Sequence, residues 1–326
     1  MNALLEQFKN KSVLIVGDVM VDAYIIGKVD RVSPEAPVPV VNIEHRDMRL
    51  GGAANVAVNI QALQAKPILC SVIGQDLEGQ DLMQLLEQNN MITSAIVRSN
   101  TRKTTTKTRV ISNKHQLLRL DHEQTHDLLD EENTALIEAF KQHIDSCDVV
   151  ILEDYNKGVL TDKNIPILID IALKAKKPIA VDPKKKNFLL YQKVTLFKPN
   201  LKEIKEGLNS QLNLKDKAHL KTLVLELHQA LNNDMTMVTL SEDGVMVTDH
   251  TQFDFIPAHI RNIADVSGAG DTVISVAALC LASGITMKTM AELSNLAGGL
   301  VCEESGVVPV DINKLSAESQ YLLSIH

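Results

Sequence analysis

No Cys-x-x-Cys pair occurs in the 326 residues; the four cysteines, Cys70, Cys147, Cys280 and Cys302, stand far apart. Of the ten histidines, His122 and His126 fall in a His-Glu-x-x-His spacing (His122-Glu123-Gln124-Thr125-His126), but it directly follows the β-rich run at 116–121 rather than lying on an expected helix, where such a pair would share a face. The scattered cysteines argue against a cysteine-based zinc module and a disulfide scaffold, and they point to a reducing compartment. Long apolar runs are missing as well, since none approaches the ~20 residues that cross a bilayer. The earliest run, residues 13–16, halts at Gly17-Asp18 and follows no basic stretch, so no secretion signal is expected and the chain reads as soluble and cytoplasmic. Positive charge is in short supply: 33 Lys plus Arg against 41 Asp plus Glu leave a net charge of −8 at pH 7. Nothing global attracts nucleic acid or an anionic membrane, so an anionic ligand must be met by local basic residues. Repeats and low-complexity tracts are also absent. What is present is a 45% hydrophobic composition, enough for a sizeable core and incompatible with disorder.

Along the chain, residues 11–17 form a short, continuously apolar run ending in glycine, which predicts a buried strand of a parallel sheet. Residues 31–43 set Pro34, Pro37 and Pro39 among valines, which suits an edge strand or a protruding flap. A helix is expected over 52–64, a strand over 66–73 and a helix over 77–89. A β-rich interval follows at 95–98, 104–112 and 116–121 with no helix between its parts; paired with the flap, it would make a small sheet outside the main one. From the helix at 131–142 onward the order alternates, with strands at 148–152, 178–182 and 195–198. Alternation of this kind marks a doubly wound, mostly parallel sheet flanked by helices. A meander at 235–239, 245–248 and 253–256 and helices beginning near Gly270 and Met287 close the chain. The expected architecture is one α/β unit over 1–326, with a β-lid formed by segments near 19–45 and 95–121.

The most informative stretch is Asp-Val-Ser-Gly-Ala-Gly-Asp-Thr at 265–272, directly before a helical run. Gly268, Ala269 and Gly270 leave backbone amides uncovered, and the helix turns its positive end to the same spot, which suits an anion. Asp271 in the first turn can take a proton from an attacking hydroxyl while those amides hold a phosphoryl group. A first-turn acid also complements a helix dipole, but that role needs no Gly-Ala-Gly before it.

Three motifs in order carry a resemblance over nearly the whole chain: Leu-Gly-Gly-Ala-Ala-Asn-Val-Ala at 50–57, Lys-Pro-Asn-Leu-Lys-Glu at 198–203, and Gly-Ala-Gly-Asp at 268–271. The sequence thus resembles the PfkB/ribokinase family of sugar kinases. More narrowly it is similar to the subgroup that phosphorylates D-glycero-β-D-manno-heptose 7-phosphate at O1 in ADP-heptose synthesis, on Ser-Pro-Glu-Ala-Pro-Val-Pro-Val-Val, Leu-Leu-Arg-Leu-Asp, Asp-Tyr-Asn-Lys-Gly and Asp-Pro-Lys. The resemblance implies a ribokinase-like fold, ATP and Mg²⁺ as cofactors, and a homodimer joined through the lid. Relatives often continue into a nucleotidyltransferase domain, and no second phosphate-binding motif is seen here. Other sugars, or a binder without catalysis, stay open as alternatives; an intact Gly-Ala-Gly-Asp argues against the binder.

Carried over residue by residue, Asp271 matches the catalytic base and Gly268, Ala269 and Gly270 the anion hole. Asn200, Leu201, Lys202 and Glu203 match the motif that organises Mg²⁺ and the ATP phosphates, with Glu203 reaching the metal through water; on spacing alone Asn200 and Glu203 equally read as a helix cap with its capping-box partner. Thr239, Ser241, Gly244 and Asn295 fall where the family lines its nucleotide pocket. For the sugar, Asp18 and Asp22 follow the first strand, and Gly51, Gly52 and Asn55 open a helix where backbone must approach a ligand closely. Lys107, Arg109 and Arg119 lie on the lid strands and could meet a second phosphate, or be a solvated strand face. Asp154, Lys157, Asp182 and Lys184 sit at the C-terminal ends of expected strands, where open α/β sheets bind ligands. Glu153 departs from the family pattern, which would put a small residue there.

Overall fold

The structure is a computed structural model that describes residues 2–113, 115–214 and 216–323. A short helix, α1 (Asn2–Leu5), leads into strand β1 (Ser12–Gly17). Two long strands follow, β2 (Val19–Val32) and β3 (Pro39–Gly52), then α2 (Ala53–Ala62), β4 (Lys66–Gly74), α3 (Leu77–Gln88) and β5 (Ile96–Ser99). Next come β6 (Thr105–Ser112), β7 (His115–His122), α4 (Asp130–His143), β8 (Val149–Glu153), α5 (Ile165–Lys174), β9 (Ile179–Asp182) and β10 (Leu196–Phe197). The rest is α6 (Leu201–Gly207), α7 (Lys217–Leu231), β11 (Met235–Thr239), β12 (Val245–Thr248), β13 (Phe253–Ile256), α8 (Ala269–Ala282), α9 (Met287–Val301) and α10 (Ile312–Leu323). No helix among the described residues is long and apolar enough to cross a membrane.

Nine strands make the main sheet in the order β13-β12-β11-β10-β9-β8-β1-β4-β5, parallel except for the antiparallel β12 and β13 at one edge. Because side chains alternate across a strand, the apolar centre of β1, residues 13–16, feeds two cores at once. Val13 and Ile15 join α2, α8 and α9 on one face. Leu14 and Val16 join α4, α5 and α7 on the other. β1 runs between β4 and β8, and the C-terminal ends of β1, β8 and β9 open on one crevice, the place where doubly wound sheets take ligands.

The second sheet has the order β3-β2-β6-β7. Pro34 and Pro37 fall in the turn between β2 and β3, and Pro39 begins β3 at the sheet edge, where a missing amide breaks no ladder. One expectation is corrected: residues 95–98 do not belong to this lid. β5 runs parallel to β4 at the edge of the main sheet, with Ser71 opposite Ile96. The reason is connectivity, since α3 between β4 and β5 completes a strand–helix–strand crossover that returns the chain to the sheet it left. The lid strand β3 also runs on to Gly52, past the expected end at residue 45.

Register places Asp22, Tyr24, Lys107, Arg109, Arg119 and Asp121 on one face of the lid, because Asp22 lies opposite Lys107, Tyr24 opposite Arg109, and Arg109 opposite Arg119. The other face carries Ile25, Val110, Leu118 and Leu120. Leu118 and Leu120 are each 52% exposed.

Candidate active site

Gly52 ends β3 at φ +60°, a backbone conformation that costs L side chains strain, and a β-carbon there would overlap the Asp18 carbonyl. The Ala53 amide donates to that carbonyl at 2.9 Å, which starts α2 against the end of β1. Asn55 lies in the first turn of α2. Across from it, α8 begins after Gly268 at φ +81°, and Asp271 lies in its first turn, 5% exposed. Asn55 Nδ2 donates to Asp271 Oδ2 at 2.6 Å. The Tyr155 hydroxyl donates to Oδ1 at 2.7 Å. Burial raises the Asp271 carboxyl to about 6, against the opposing effect of those two donors; Asp182 adds to the rise and Lys198 lowers it.

Asp18, just after β1, is also buried. Its carboxylate accepts the backbone amides of Tyr155 (2.9 Å), Lys157 (3.0 Å) and Val159 (2.9 Å), so it holds the loop after β8 in shape. Burial lifts its pKa, and the three amides and Arg102 pull it back only partly. Asp154, in contrast, leaves the crevice: its carboxylate accepts from Tyr191 at 2.7 Å and from Asn187 at 3.1 Å in the interior.

Asp182, at the end of β9, joins two lysines. Lys198 Nζ is 2.8 Å from Oδ2 and Lys184 Nζ is 3.4 Å from Oδ1. Burial alone would raise this carboxyl, but the two ammonium groups hold it below its ordinary value. A β-carbon on Gly270 would lie 3.7 Å from Asp182 Oδ2 and 3.9 Å from Lys198 Nζ, so this charge cluster borders the start of α8. Lys184 also donates to Glu203 at 2.6 Å. Burial disfavours its charge, yet Asp182, Glu203 and Glu153 together hold it protonated.

The Asn200–Glu203 pair does form a reciprocal capping box on α6, with both bonds at 2.9 Å. Capping and ligand binding are not exclusive, because Glu203 turns its other oxygen to Lys184 beside Asp182. Lys202 points away with its side chain 82% exposed, near Glu206. Asn200 bridges Thr239, and Ser241 and Gly244 shape the following turn at φ +55° and +91°. Asn295 on α9 donates to the Pro257 carbonyl at 2.8 Å, next to where Gly244 packs. These residues thus form a continuous path from Glu203 to α9.

On the lid, Arg109 pairs with Asp22, and Gly51 leaves room for that carboxylate, since a β-carbon there would overlap it. Lys107 reaches Asp121 and Glu123 at 3.2 Å, and Lys157 reaches Glu123 at 2.8 Å. Arg119 is held by Asp121 on its own strand at 2.8 and 2.9 Å and is half exposed. Sequence reasoning passed over three residues that sit among these, Tyr155, Lys198 and Glu123, and noted Glu153 as a departure without giving it a place in the site. Tyr155 and Lys198 stood inside quoted motifs, and their neighbours drew the attention. Glu153 is fully buried, its carboxylate lies within 4.8 Å of those of Asp182 and Asp271, and neither oxygen has a hydrogen-bond partner among the described residues.

A buried carboxylate in the first turn of a helix, held by two hydrogen-bond donors with Lys198 nearby, is suited to taking a proton from a hydroxyl beside a bound anion. Residues 10–313 match the family profile described as pfkB family carbohydrate kinase, so the chain belongs to that family of sugar kinases, and its fold is the ribokinase-like α/β fold. Family membership implies ATP as phosphoryl donor. Among its relatives, the bifunctional protein HldE of Caulobacter vibrioides is 40% identical over 311 residues, which cover 95% of this chain and 64% of that protein. The protein of the same name from Wolinella succinogenes is 35% identical over 323 residues, 99% of this chain and 67% of its own length. This chain therefore spans about two thirds of the relatives it matches. Phosphofructokinase-2 from Escherichia coli in complex with potassium superposes with a TM-score of 0.79 at 19% identity, over 96% of this chain and 99% of that one. Ribokinase from Arabidopsis thaliana complexed with ribose and ATP gives 0.73 at 15% identity, over 94% and 98%.

Proposed function

We propose that the protein transfers the γ-phosphoryl group of ATP to O1 of D-glycero-β-D-manno-heptose 7-phosphate. The observation that carries the reading is Asp271: a buried carboxylate, gripped at both oxygens, in the first turn of a helix that begins on a left-handed glycine. Asp271 takes the proton of the anomeric hydroxyl, the oxygen attacks the γ-phosphorus in line, and ADP departs. The amides at 268–270 and the lysines Lys184 and Lys198 face the charge that spreads over the phosphoryl oxygens. Because the base must be ionised, turnover is expected to fall as pH drops through the region of 6.

Glu203 and Asn200 suit a Mg²⁺ ion held through water. Glu203 already accepts from the Asn200 amide and from Lys184, which leaves lone pairs for ordered water rather than a bare face for the ion. Mg²⁺ would supply neutralising charge for the phosphates there. On the sugar side, Asp18, Asp22, Gly51, Gly52 and Asn55 border the place where the hydroxyls would lie. Lys107, Lys157 and Arg109 would meet the 7-phosphate, exchanging their present carboxylate partners for it. The relatives named HldE support this substrate class, and the exposed apolar face of the lid supports a homodimer joined through it. A second reading, a kinase for another sugar, draws on the fact that Lys107, Arg109, Arg119 and Lys157 each already have an acidic partner.

ADP release measured over a panel of sugars and sugar phosphates tests the substrate, with heptose 7-phosphate expected to stand out and equal turnover of unphosphorylated heptose or ribose sinking the assignment. Asp271→Asn tests the chemistry: it is expected to fold, bind ATP and turn over at least ~10²-fold more slowly. Near-normal turnover in that folded variant removes Asp271 from the role of base.

A further inference from the structure

Both ends of Tyr155 are engaged in the crevice. Its amide donates to Asp18 and its hydroxyl to Asp271, so one residue spans the sugar-side carboxylate and the carboxylate read here as the base. The reach depends on the loop at 154–159, which bends through left-handed positions at Asn156 (φ +54°) and Gly158 (φ +91°) and is held by three amide bonds to Asp18. Lys184 Nζ lies 5.4 Å from the centre of the Tyr155 ring and anchors it from the other side. A carboxylate oxygen has two lone pairs. Tyr155 occupies one on Oδ1 and Asn55 one on Oδ2, which fixes the rotation of the carboxylate and leaves lone pairs for a substrate hydroxyl.

We propose that Tyr155 is a positioning residue for phosphoryl transfer, holding Asp271 ionised and correctly turned through its hydroxyl without touching the reacting atoms. The proposal rests on the reading of Asp271 as base. The groups that face Asp271 are Asn55 from α2, Tyr155 and Glu153 from the end of β8, Asp182 from β9 and Lys198 from beyond β10. Of these, Asn55 and Tyr155 donate hydrogen bonds to the carboxylate, and Tyr155 is the one whose hydroxyl can be deleted with the ring left in place. Burial first, and then the neighbouring carboxylates, push the phenol well above its ordinary pKa, so it stays a donor at any working pH.

The test is Tyr155→Phe, alone and combined with Asp271→Asn. With Asp271 present, the acid limb of the pH profile is expected to move up by about one pH unit, because the base has lost a donor to its charged form, and kcat to fall about tenfold at pH 7, less than about twofold of it from ionisation and the rest from the freed rotation of the carboxylate. The KM values for ATP and sugar should stay within about twofold. In the Asp271→Asn background the same change should cost nothing further, since the group it acts through is gone. A variant with unchanged kcat and pH limb overturns the proposal. So does a loss of equal size in both backgrounds, or a loss that comes with a collapsed melting temperature and raised KM values. If Asp271→Asn itself turns over normally, the base reading falls and this proposal falls with it, a result distinct from failure of Tyr155 alone.

Discussion

Glu153 is the residue least at ease in the crevice. It is fully buried, has no hydrogen-bond partner among the described residues, and lies among the carboxylates of Asp182 and Asp271. Burial, and then those two charges, raise its pKa well above the ordinary carboxylate value against the pull of Lys184 and Lys198. A carboxyl whose folded pKa is raised binds a proton more tightly folded than unfolded, so its contribution to stability is greatest at acid pH and is lost as pH rises towards the folded value. Glu153→Gln removes the titration but keeps the shape. Its melting temperature should match the parent at about pH 4 and below, exceed it by a margin that grows as pH rises above the ordinary carboxylate range, and level off once pH passes the folded value. A margin that does not change with pH would show that Glu153 is not a strained acid. The motif pattern marked Glu153 as unusual, but its isolation could not be read from a linear chain, because the charges that face it come from β9 and α8.

At the scale of elements, the lid strands divide the labour that the sequence assigned to them jointly. Arg109 on β6 pairs with Asp22, itself 5% exposed, whereas Arg119 on β7 is tied to Asp121 two residues along the same strand and stands half in water. Charge-assisted hydrogen bonds to a substrate phosphate contribute roughly 1.5–3 kcal/mol each. Arg109→Ala should therefore raise the sugar-phosphate KM about tenfold or more, and Arg119→Ala by much less, with the ATP KM unmoved in both. Steady-state kinetics on the two variants decide this, and equal effects would mean that β7 swings inward when substrate binds. Most helices and strands were legible within a residue or two, because their apolar periodicity and their Gly, Pro and capping residues are local. β5 was misassigned because a short strand of Ile and Val carries no mark of which sheet it will join; that is set by the crossover through α3.

At the scale of the whole molecule, the lid is amphipathic in an unusual direction for a surface sheet. Its charged face is turned to the crevice residues, while the opposite face exposes Leu118 and Leu120 at 52% each, with Met48 at 42%. Exposed apolar faces of this kind mark association surfaces. Replacing Leu118 and Leu120 together by Asp should convert the proposed dimer to a monomer in sedimentation velocity without loss of the fold seen by circular dichroism. A parent that already sediments as a monomer at micromolar concentration would end the proposal.

The sequence by itself determined the doubly wound sheet and the start of α8 at Gly268, because both rest on short-range signals: runs of apolar residues, a glycine without a β-carbon, and an acid in the first helical turn. It also left a capping box as one of two readings of Asn200 and Glu203, and the structure contains that box. Tertiary structure alone decided which groups grip Asp271, since Asn55 lies 216 residues and Tyr155 116 residues away along the chain. It turned Asp154 inward to Tyr191 although its neighbour Tyr155 faces the crevice. And it set Lys198 against Asp182, a pairing that exists only because β9 and β10 lie side by side. The physical reason is range: propensity and patterning act over a few residues, whereas the charge environment of a buried group is the sum over every strand and helix that closes around it.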